Sequence, residues 1–299
     1  MYLIIGASGF IGSHLYEQCR GNGIDVLGTY CTYSYNPEWV RFDICADDLN
    51  EFCIRHLNGK DLDAVVLCGA NGNIDSCKKN GVESSLLNVT GTQRILGQAD
   101  ALGAKCVFLS SEAVFDGKKG MYTEEDATNP VTVYGMQKLK VEQYMIHNIR
   151  DYLIFRISRA VGSRFGERDI FDEFYKKMTG NKEIVCLKDQ SFCLTEVGDI
   201  VKGILQTLEQ KMSGLYHLSS ANYISRYELA RFYGAKMFGG YNKISEQEYS
   251  EMNFLDNRHI YGGLSGGKLE KLIGIKYLSI TDIMENYLES AEASGVNLR

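Results

Sequence analysis

A tyrosine and a lysine near the middle of the chain have the spacing of an acid–base pair. Tyr134 and Lys138 stand four positions apart, so on a helix they share one face. A free tyrosine has a pKa of about 10 and is a poor proton donor or acceptor at neutral pH. A nearby ammonium group stabilises the phenolate and lowers that pKa. The pair therefore predicts proton transfer to or from a reacting group.

Two serines, Ser110 and Ser111, follow the apolar segment 105–109, which has the composition of a buried strand. In a doubly wound parallel sheet, chemistry gathers at the carboxyl ends of the strands. A serine at that position can donate a hydrogen bond to the carbonyl oxygen of a substrate. The alternative is a serine that only ends a strand in a turn.

A glycine-rich turn follows the first apolar segment, with Gly6, Gly9 and Gly12 at intervals of three. Gly6 permits the sharp turn from strand to helix, Gly9 lets the backbone approach a pyrophosphate, and Gly12 lets the helix pack on the strand. The helix that starts here presents free N–H groups and a positive dipole end to the phosphates. The spacing predicts a dinucleotide site, and a glycine turn without a ligand is the alternative.

The segment after the second predicted strand bears on the choice of cofactor. A carboxylate there would bind the ribose 2′-hydroxyl of NAD, but residues 28–34 contain none. Their hydroxyl groups favour NADP(H), with NAD(H) as the alternative and Arg41 or Lys60 as cations for the 2′-phosphate. Asp43 follows the third predicted strand, where it can accept a hydrogen bond from adenine or cap a turn.

The elements that position these residues alternate between apolar segments and amphipathic helices. Such alternation is typical of βαβ units, right-handed crossovers and a parallel sheet. Farther along, Ser225 and Glu228 have the spacing of a capping box, which predicts a helix start. The predicted strands are 2–5, 24–30, 39–42, 64–68, 105–109, 152–157, 183–187 and 215–218, and helices are predicted at 170–178, 195–211 and 279–293.

The composition limits the function classes. The chain has 299 residues and a net charge of −6, which argues against a nucleic-acid-binding surface. No apolar run reaches the roughly 20 residues that a membrane-spanning helix needs. The N-terminus has no basic region typical of a signal peptide, so we expect a cytoplasmic protein. The nine cysteines and five histidines share no metal-binding spacing, so no metal site is expected.

Across nearly its whole length the chain resembles the extended short-chain dehydrogenase/reductase superfamily, and within it the dTDP-4-dehydrorhamnose reductase branch of sugar-nucleotide enzymes. The most specific part is a Ser-Ser-x-x-Val-Phe-Asp-Gly run at 110–117 followed by the Tyr-x-x-x-Lys pair. The other matching segments are Gly6-Ala7-Ser8-Gly9-Phe10-Ile11-Gly12, Asp43-Ile44, Ile74-Asp75-Ser76-Cys77, Asn88-Val89-Thr90-Gly91-Thr92, Arg156-Ile157-Ser158-Arg159, Gly214-Leu215-Tyr216-His217-Leu218-Ser219 and the run 225–230.

The resemblance implies an α/β fold, a Rossmann-type doubly wound parallel sheet with a smaller, interleaved C-terminal α/β substrate domain. The dinucleotide-binding domain would span 1–165, with a return segment at about 195–218. The substrate-binding cap would comprise 166–194 and 219–299. A homodimer is compatible with the family, although no segment identifies an interface.

The resemblance also implies roles for individual residues. Tyr134 would protonate the developing alkoxide of a keto substrate, Ser111 would orient it, and Lys138 would assist Tyr134. Asn88 matches a helix asparagine that supports the site. The implied cofactor-binding residues are Gly6, Ser8, Gly9, Phe10, Ile11, Gly12, Asp43, Ile44, Gly69, Ala70, Asn88, Tyr134 and Lys138, and Arg159 and Arg258 would bind the substrate diphosphate.

Three departures from the family pattern concern the substrate. Glu112-Ala113 follows Ser111 where dehydratases carry Asp-Glu, which argues against 4,6-dehydration. Arg159 replaces the family's tryptophan, and Arg258-His259 replaces its Arg-Pro. The segment 67–73 also differs from the usual Asn-Ala-Ala run beside the cofactor.

The predicted function is NAD(P)H-dependent reduction of the 4-keto group of a nucleoside-diphosphate deoxysugar, in polysaccharide biosynthesis. Two alternatives remain: an NAD-dependent sugar-nucleotide epimerase, and a non-catalytic NADP-binding regulatory subunit of the same fold. The expected partner is a small sugar-nucleotide substrate, with no nucleic acid and no membrane.

Overall fold

The computed structural model describes residues 1–296, so the last three positions of the predicted cap segment 219–299 lie outside the described residues. The strands are β1 (Tyr2–Ile5), β2 (Val26–Tyr30), β3 (Val40–Arg41), β4 (Ala64–Leu67), β5 (Lys105–Ser111), β6 (Tyr152–Ile157), β7 (Arg159–Val161), β8 (Ile184–Leu187), β9 (Ser191–Glu196), β10 (Gly214–His217), β11 (Tyr223–Ser225) and β12 (Ile244–Gln247). The α-helices are α1 (Phe10–Gly21), α2 (Leu49–His56), α3 (Ile74–Lys79), α4 (Gly81–Ser85), α5 (Thr92–Ala101), α6 (Val133–Asn148), α7 (Ile170–Thr179), α8 (Val197–Glu209), α9 (Arg226–Phe238), α10 (Gly267–Ile273) and α11 (Ile280–Ala293).

Seven strands form one sheet in the order β10-β6-β5-β4-β1-β2-β3, and all of its pairs are parallel. The strand order reverses between β1 and β4. In open parallel sheets ligands bind in the crevice outside the carboxyl ends of the strands at such a reversal. The predicted Rossmann-type α/β fold is confirmed.

Helices cover both faces of this sheet because its strands alternate buried apolar side chains toward each face. On one face Ile4, Val66 and Val107 pack with Leu15 of α1 and Ile204 of α8. On the other face Leu3, Val65 and Phe108 pack with Ile95 of α5 and Val141 of α6. Each fully buried side chain of this size contributes about 1.5–3 kcal/mol to folding. The two cores therefore fix the helix ends that meet at the crevice.

The remaining strands form two small sheets. One has the order β11-β9-β7 and the other pairs β12 with β8. A separate core, which includes Phe171, Tyr233 and Tyr287, joins α7, α9 and α11. Helix α9 begins at the predicted capping box, with the Ser225 side chain accepting from the Glu228 N–H and the Glu228 side chain accepting in return. The chain returns to the large sheet through α8 and β10 before it forms α9.

No helix within residues 1–296 combines the length and the apolar character that crossing a bilayer requires.

Candidate active site

The turn after β1 has a shape that only glycine tolerates. Gly6 has φ +88°, and a Cβ built there would lie 2.6 Å from the backbone nitrogen of Gly69. A Cβ on Gly12 would lie 2.3 Å from the backbone oxygen of Gly6. Helix α1 therefore sits directly against the turn, and no side chain caps its start at Gly9. This cradle, together with the uncapped helix N-terminus, fits a pyrophosphate.

A cavity of about 360 Å³ opens at this turn and collects most of the predicted cofactor residues. Asp43 lines it, although its Oδ1 also accepts from the Cys45 N–H at 2.8 Å, so this carboxylate caps a turn as well. Phe10 starts α1, and Ile11 packs against the core behind the turn. The predicted residues that line the cavity are Gly6, Ser8, Gly9, Asp43, Ile44, Gly69 and Ala70, joined by Cys31 and Thr32 from the end of β2.

The two cations considered for a 2′-phosphate have different surroundings. Lys60 Nζ binds Asp25 Oδ2 at 2.6 Å. Asp25 directly precedes β2, so this ion pair lies at the amino ends of the strands, opposite the cofactor cavity. Lys60 therefore cannot reach the cofactor cavity. Arg41 ends β3 near the carboxyl end of β2, where its guanidinium lies 3.7 Å from both Asp43 and Asp47.

Asn88 lies in a π-helical segment, Leu86–Gly91, and its side chain is almost completely buried. Its Oδ1 accepts from the Asn71 N–H at 2.8 Å, and its Nδ2 donates to the Asn71 oxygen at 2.9 Å and to Gln137 Oε1 at 2.8 Å. Asn88 thus joins the loop after β4 to helix α6. These contacts with the protein fit a supporting role.

Ser111, Tyr134 and Lys138 are brought together by one close backbone approach. Ser111 is the last residue of β5, and Tyr134 lies in the first turn of α6. A Cβ on Gly135 would lie only 2.0 Å from the backbone oxygen of Ala113. Glycine at 135 therefore lets the start of α6 press against the chain just beyond Ser111.

Lys138 is buried under this corner. Its Nζ donates to the Leu109 oxygen at 2.8 Å and lies 5.7 Å from the centre of the Tyr134 ring. Burial lowers the pKa of Lys138 to about 8, against the opposing influence of Cys68 and Glu142. The ammonium form still predominates at neutral pH.

The pKa of Tyr134 differs from the sequence prediction. Burial raises it to about 12, whereas the hydrogen bond with Ser111 lowers it by a smaller amount. The expected lowering of this pKa is therefore wrong, because desolvation of the phenolate outweighs the groups that stabilise it. A phenol that stays protonated is suited to donate a proton.

A buried ion pair lies one turn farther along α6. Glu142 Oε2 binds Arg156 of β6 at 2.7 Å, and Glu142 Oε1 accepts from Ser110 Oγ. Arg156 NH1 also lies 3.4 Å from His217 Nε2. Burial lowers the pKa of His217 to about 3. The network ties α6 to β5 and β6. Sequence reasoning missed it, although Glu142 lies four residues after Lys138 on the same helix face.

A second cavity, of about 260 Å³, is lined by three arginines. It brings together the two predicted substrate residues, Arg159 and Arg258, and adds Arg226. Sequence reasoning missed Arg226 because it lies at the start of a helix whose capping box explained the local pattern. Glu112 also lines this cavity and directly follows Ser111, so the cavity adjoins the serine.

The three arginines are not equally free. Arg258 binds Asp75 at 2.7 Å, and Arg226 binds Glu173 at 2.8 Å. Arg159 stacks on Phe192, and within residues 1–296 no carboxylate lies within 4.0 Å of its guanidinium. Desolvation by the surrounding protein and the charge of the neighbouring Arg226 lower the pKa of Arg159. Part of the residue nevertheless remains exposed to solvent. Arg159 is thus the guanidinium available to an anion.

The chain is similar to known proteins along most of its length. The family model described as RmlD substrate binding domain matches residues 1–292. The chain is 28% identical over 235 residues to methionine adenosyltransferase 2 subunit beta of Xenopus tropicalis, a match that covers 76% of this chain and 69% of that protein. It is 27% identical over 235 residues to dTDP-4-dehydrorhamnose reductase of Mycobacterium tuberculosis, covering 77% and 73%.

Solved structures give the same fold. A dTDP-4-dehydrorhamnose reductase of Clostridium acetobutylicum superposes with a TM-score of 0.85 at 23% identity, covering 97% of this chain and 99% of that one. A dTDP-4-dehydrorhamnose reductase of Bacillus anthracis, in complex with NADP, superposes with a TM-score of 0.80 at 20% identity, covering 98% of each chain. At these identities the likeness shows the fold alone.

Proposed function

The chain belongs to the RmlD substrate binding domain family, within the extended short-chain dehydrogenases/reductases, and on that premise we propose that it reduces the 4-keto group of a nucleoside-diphosphate deoxysugar with NADPH. The observation that carries the proposal is the meeting of Ser111, Tyr134 and Lys138 between two cavities. Ser111 adjoins Glu112 of the arginine-lined cavity, and Lys138 is close enough to influence Cys68 of the cofactor cavity. We infer that a keto sugar in the arginine-lined cavity and a nicotinamide in the cofactor cavity would meet at these three side chains.

The chemistry follows from the three side chains. When bound, the nicotinamide supplies the hydride that reduces the keto carbon. Tyr134 donates its phenolic proton to the keto oxygen as negative charge develops there. Ser111 donates a hydrogen bond to the same oxygen and orients it. Lys138, held by the Leu109 oxygen, places a positive charge beneath the phenol and stabilises the tyrosinate that remains.

Substrate binding rests on the arginine-lined cavity. A diphosphate carries negative charge that a guanidinium binds through two parallel hydrogen bonds. Arg159 is uncommitted, whereas Arg258 and Arg226 are each held by a carboxylate. We assign the first diphosphate contact to Arg159, with Arg258 shaping the cavity through its stacking on Phe254 at 4.5 Å.

Within the proposal, NADPH is preferred to NADH because the carboxyl end of β2 carries hydroxyl and thiol groups and no carboxylate. The protein would act in the cytoplasm, in polysaccharide biosynthesis.

A second candidate is a non-catalytic NADP-binding regulatory subunit. The specific observation in its favour is the similarity to a protein named as a subunit of methionine adenosyltransferase, an enzyme of a different reaction. Arg159 in place of the family's tryptophan fits this candidate too. The intact trio of Ser111, Tyr134 and Lys138 favours the reductase.

One experiment separates the candidates. The native protein is purified, its bound nucleotides are identified by mass spectrometry, and oxidation of NADPH is followed with a panel of 4-keto nucleotide sugars. The reductase proposal expects turnover with at least one sugar and a loss of at least a hundredfold in kcat in Tyr134→Phe, as for removal of a general acid. Turnover that survives in Tyr134→Phe contradicts the mechanism. NADPH binding without turnover on any sugar favours the regulatory subunit, and tightly retained NAD favours an epimerase.

A further inference from the structure

A third cavity lies beside the phosphate-binding turn, separate from the arginine-lined substrate cavity. Its volume is about 300 Å³. One wall is the turn with the first two turns of α1, and the opposite wall is the loop 162–169 that follows β7. The residues that matter here are Ser8 and Gly9 of the turn, Tyr33 and Tyr35 beyond β2, and Arg164 and Arg168 of the loop.

The loop is held in place against α1. Asp169 Oδ2 accepts from the Gly162 N–H at 2.7 Å, and the Phe165 N–H donates to Ser290 Oγ at 3.0 Å. Glu167 binds His14 of α1 at 2.7 Å. These contacts come from the loop's own carboxylate, from α11 and from α1, so they fix the loop over the start of α1.

The charges in this cavity leave one guanidinium uncommitted. Glu17 lines the cavity, but its Oε2 is bound by Arg164 NH1 at 3.3 Å. The other acid, Glu167, is paired with His14. For Arg168, no carboxylate lies within 4.0 Å in the part of the chain that the structure describes. The cavity thus offers the free guanidinium of Arg168 beside Arg164, and a phosphate can replace Glu17 in the exposed ion pair of Arg164.

The position of this cavity points to one ligand group. It shares Ser8 and Gly9 with the cofactor cavity, so the two are neighbours along the dinucleotide path. Tyr33 and Tyr35 come just after the carboxyl end of β2, where a Rossmann fold holds the adenosine ribose. An arginine at that place accommodates the 2′-phosphate of NADP. Arg41 is a weaker candidate because two carboxylates already flank it.

We propose that Arg168, assisted by Arg164, binds the 2′-phosphate of NADP, so that the loop 162–169 selects the cofactor. The inference rests on the proposed function only for the dinucleotide site and not for the sugar. Its chemistry is a charge-assisted pair between a planar guanidinium and a phosphate monoester.

The test compares the affinities for NADPH and NADH, measured by titration calorimetry without any sugar nucleotide. Arg168→Ala is expected to raise the Kd of NADPH about 10- to 100-fold, the size of a lost charge-assisted hydrogen bond, and to leave the Kd of NADH within about twofold. Arg168→Lys retains the charge without the planar fork and is expected to fall between wild type and Arg168→Ala. Arg150→Ala is the control, since Arg150 is also exposed and lies before the amino end of β6, paired with Asp100; both affinities should stay unchanged.

Unchanged NADH affinity in Arg168→Ala also shows that the dinucleotide site is still folded. An equal loss for NADPH and NADH overturns the inference, since Arg168 would then act on the pyrophosphate or on the loop itself. An unchanged NADPH affinity overturns it as well. Wild-type protein that binds NADPH but reduces no keto sugar contradicts the proposed function alone, whereas an NADPH affinity that is unchanged in Arg168→Ala, in a protein that does reduce a keto sugar, contradicts this inference alone.

Discussion

Lys138 and Leu109 join the two elements of the candidate active site, through a 2.8 Å hydrogen bond from the ammonium group to the backbone oxygen. Leu109 lies two residues before Ser111 on β5, and Lys138 lies one turn after Tyr134 on α6. The same strand therefore positions the serine and anchors the lysine. Because the hydrogen bond and the Phe108 ring, 4.5 Å from Nζ, hold the ammonium group, its charge acts from a fixed place.

The first prediction concerns pH. Burial lowers the pKa of Lys138 from 10.5 to about 8, so the lysine is charged below that pH and becomes neutral above it. Tyr134, with a pKa raised to about 12, stays protonated across this range. We expect kcat/KM for keto reduction to be level below about pH 8 and to fall above it, because this parameter reports groups of the free enzyme.

Lys138→Arg is the matched control for this pH profile, because a guanidinium stays charged throughout the range. The fall of kcat/KM above pH 8 should be absent in Lys138→Arg, whatever the absolute rate of this variant. A wild-type profile that is level through pH 8, or a fall that persists in Lys138→Arg, would contradict the assignment.

The second prediction concerns Gly135. In a helix, exchanging Gly for Ala stabilises by about 1 kcal/mol when space allows. Here the new Cβ would lie 2.0 Å from the backbone oxygen of Ala113, and backbone atoms yield little. We expect Gly135→Ala to lower the melting temperature and to lose most of the activity, since α6 must move away from Ser111.

Gly21→Ala serves as the comparison, since Gly21 also lies in a helix and nothing stands within 4 Å of its Cβ position. Its melting temperature should be equal to that of the wild type or higher. If Gly135→Ala behaved like Gly21→Ala, the close approach would not be what sets the geometry of the site.

Much of the fold followed from local patterns in the sequence. The strands at 2–5 and 152–157 were predicted at their observed bounds, and the helices at 170–178 and 279–293 within one residue, because apolar periodicity and caps are local signals. The strand β9, Ser191–Glu196, was missed because it pairs with β7 and β11, which lie far from it in sequence, and no short sequence window encodes such tertiary pairing.

The site residues also divide into those with a local sequence signal and those whose roles depend on distant partners. The glycine turn and the Tyr-x-x-x-Lys pair could be found because their spacing reflects local geometry. Arg226 and Glu142 were missed because their roles depend on partners far away in sequence, such as Glu173 for Arg226. The pKa of Tyr134 was mispredicted because burial cannot be read from the four-residue spacing to Lys138.

The third prediction concerns substrate binding. Removing the uncommitted guanidinium in Arg159→Ala should raise KM for the sugar nucleotide by about tenfold or more, the size of a lost charge-assisted contact. The Kd of NADPH should stay the same, because Arg159 lies in the arginine-lined cavity and not in the cofactor cavity. Steady-state kinetics and calorimetry measure the two effects.

Arg168→Ala is the matched comparison, since its expected pattern is the reverse: weaker NADPH binding and an unchanged affinity for the sugar nucleotide. A change in NADPH affinity in Arg159→Ala, or an unchanged KM for the sugar, would remove Arg159 from the substrate site.

The fourth prediction concerns the buried pair of Glu142 and Arg156, whose side chains are 1% and 6% exposed. Glu142→Gln leaves the Arg156 charge buried without its carboxylate, which should lower the free energy of unfolding by about 3–5 kcal/mol in urea titrations. The double variant Glu142→Leu/Arg156→Met should recover much of that loss, because it leaves no uncompensated charge. As a control, Glu51→Gln removes an exposed partner of Arg55 and should change the free energy of unfolding by about 0.5 kcal/mol or less.

A readout beyond stability tests whether Glu142 also acts on the active site. The carboxylate of Glu142 raises the pKa of Lys138 against the effect of burial, so its removal should move the fall in kcat/KM to a lower pH than in the wild type. A purely structural role would lower stability and leave that position unchanged. A fall at the same pH in Glu142→Gln and wild type would therefore show that Glu142 anchors α6 without tuning the lysine.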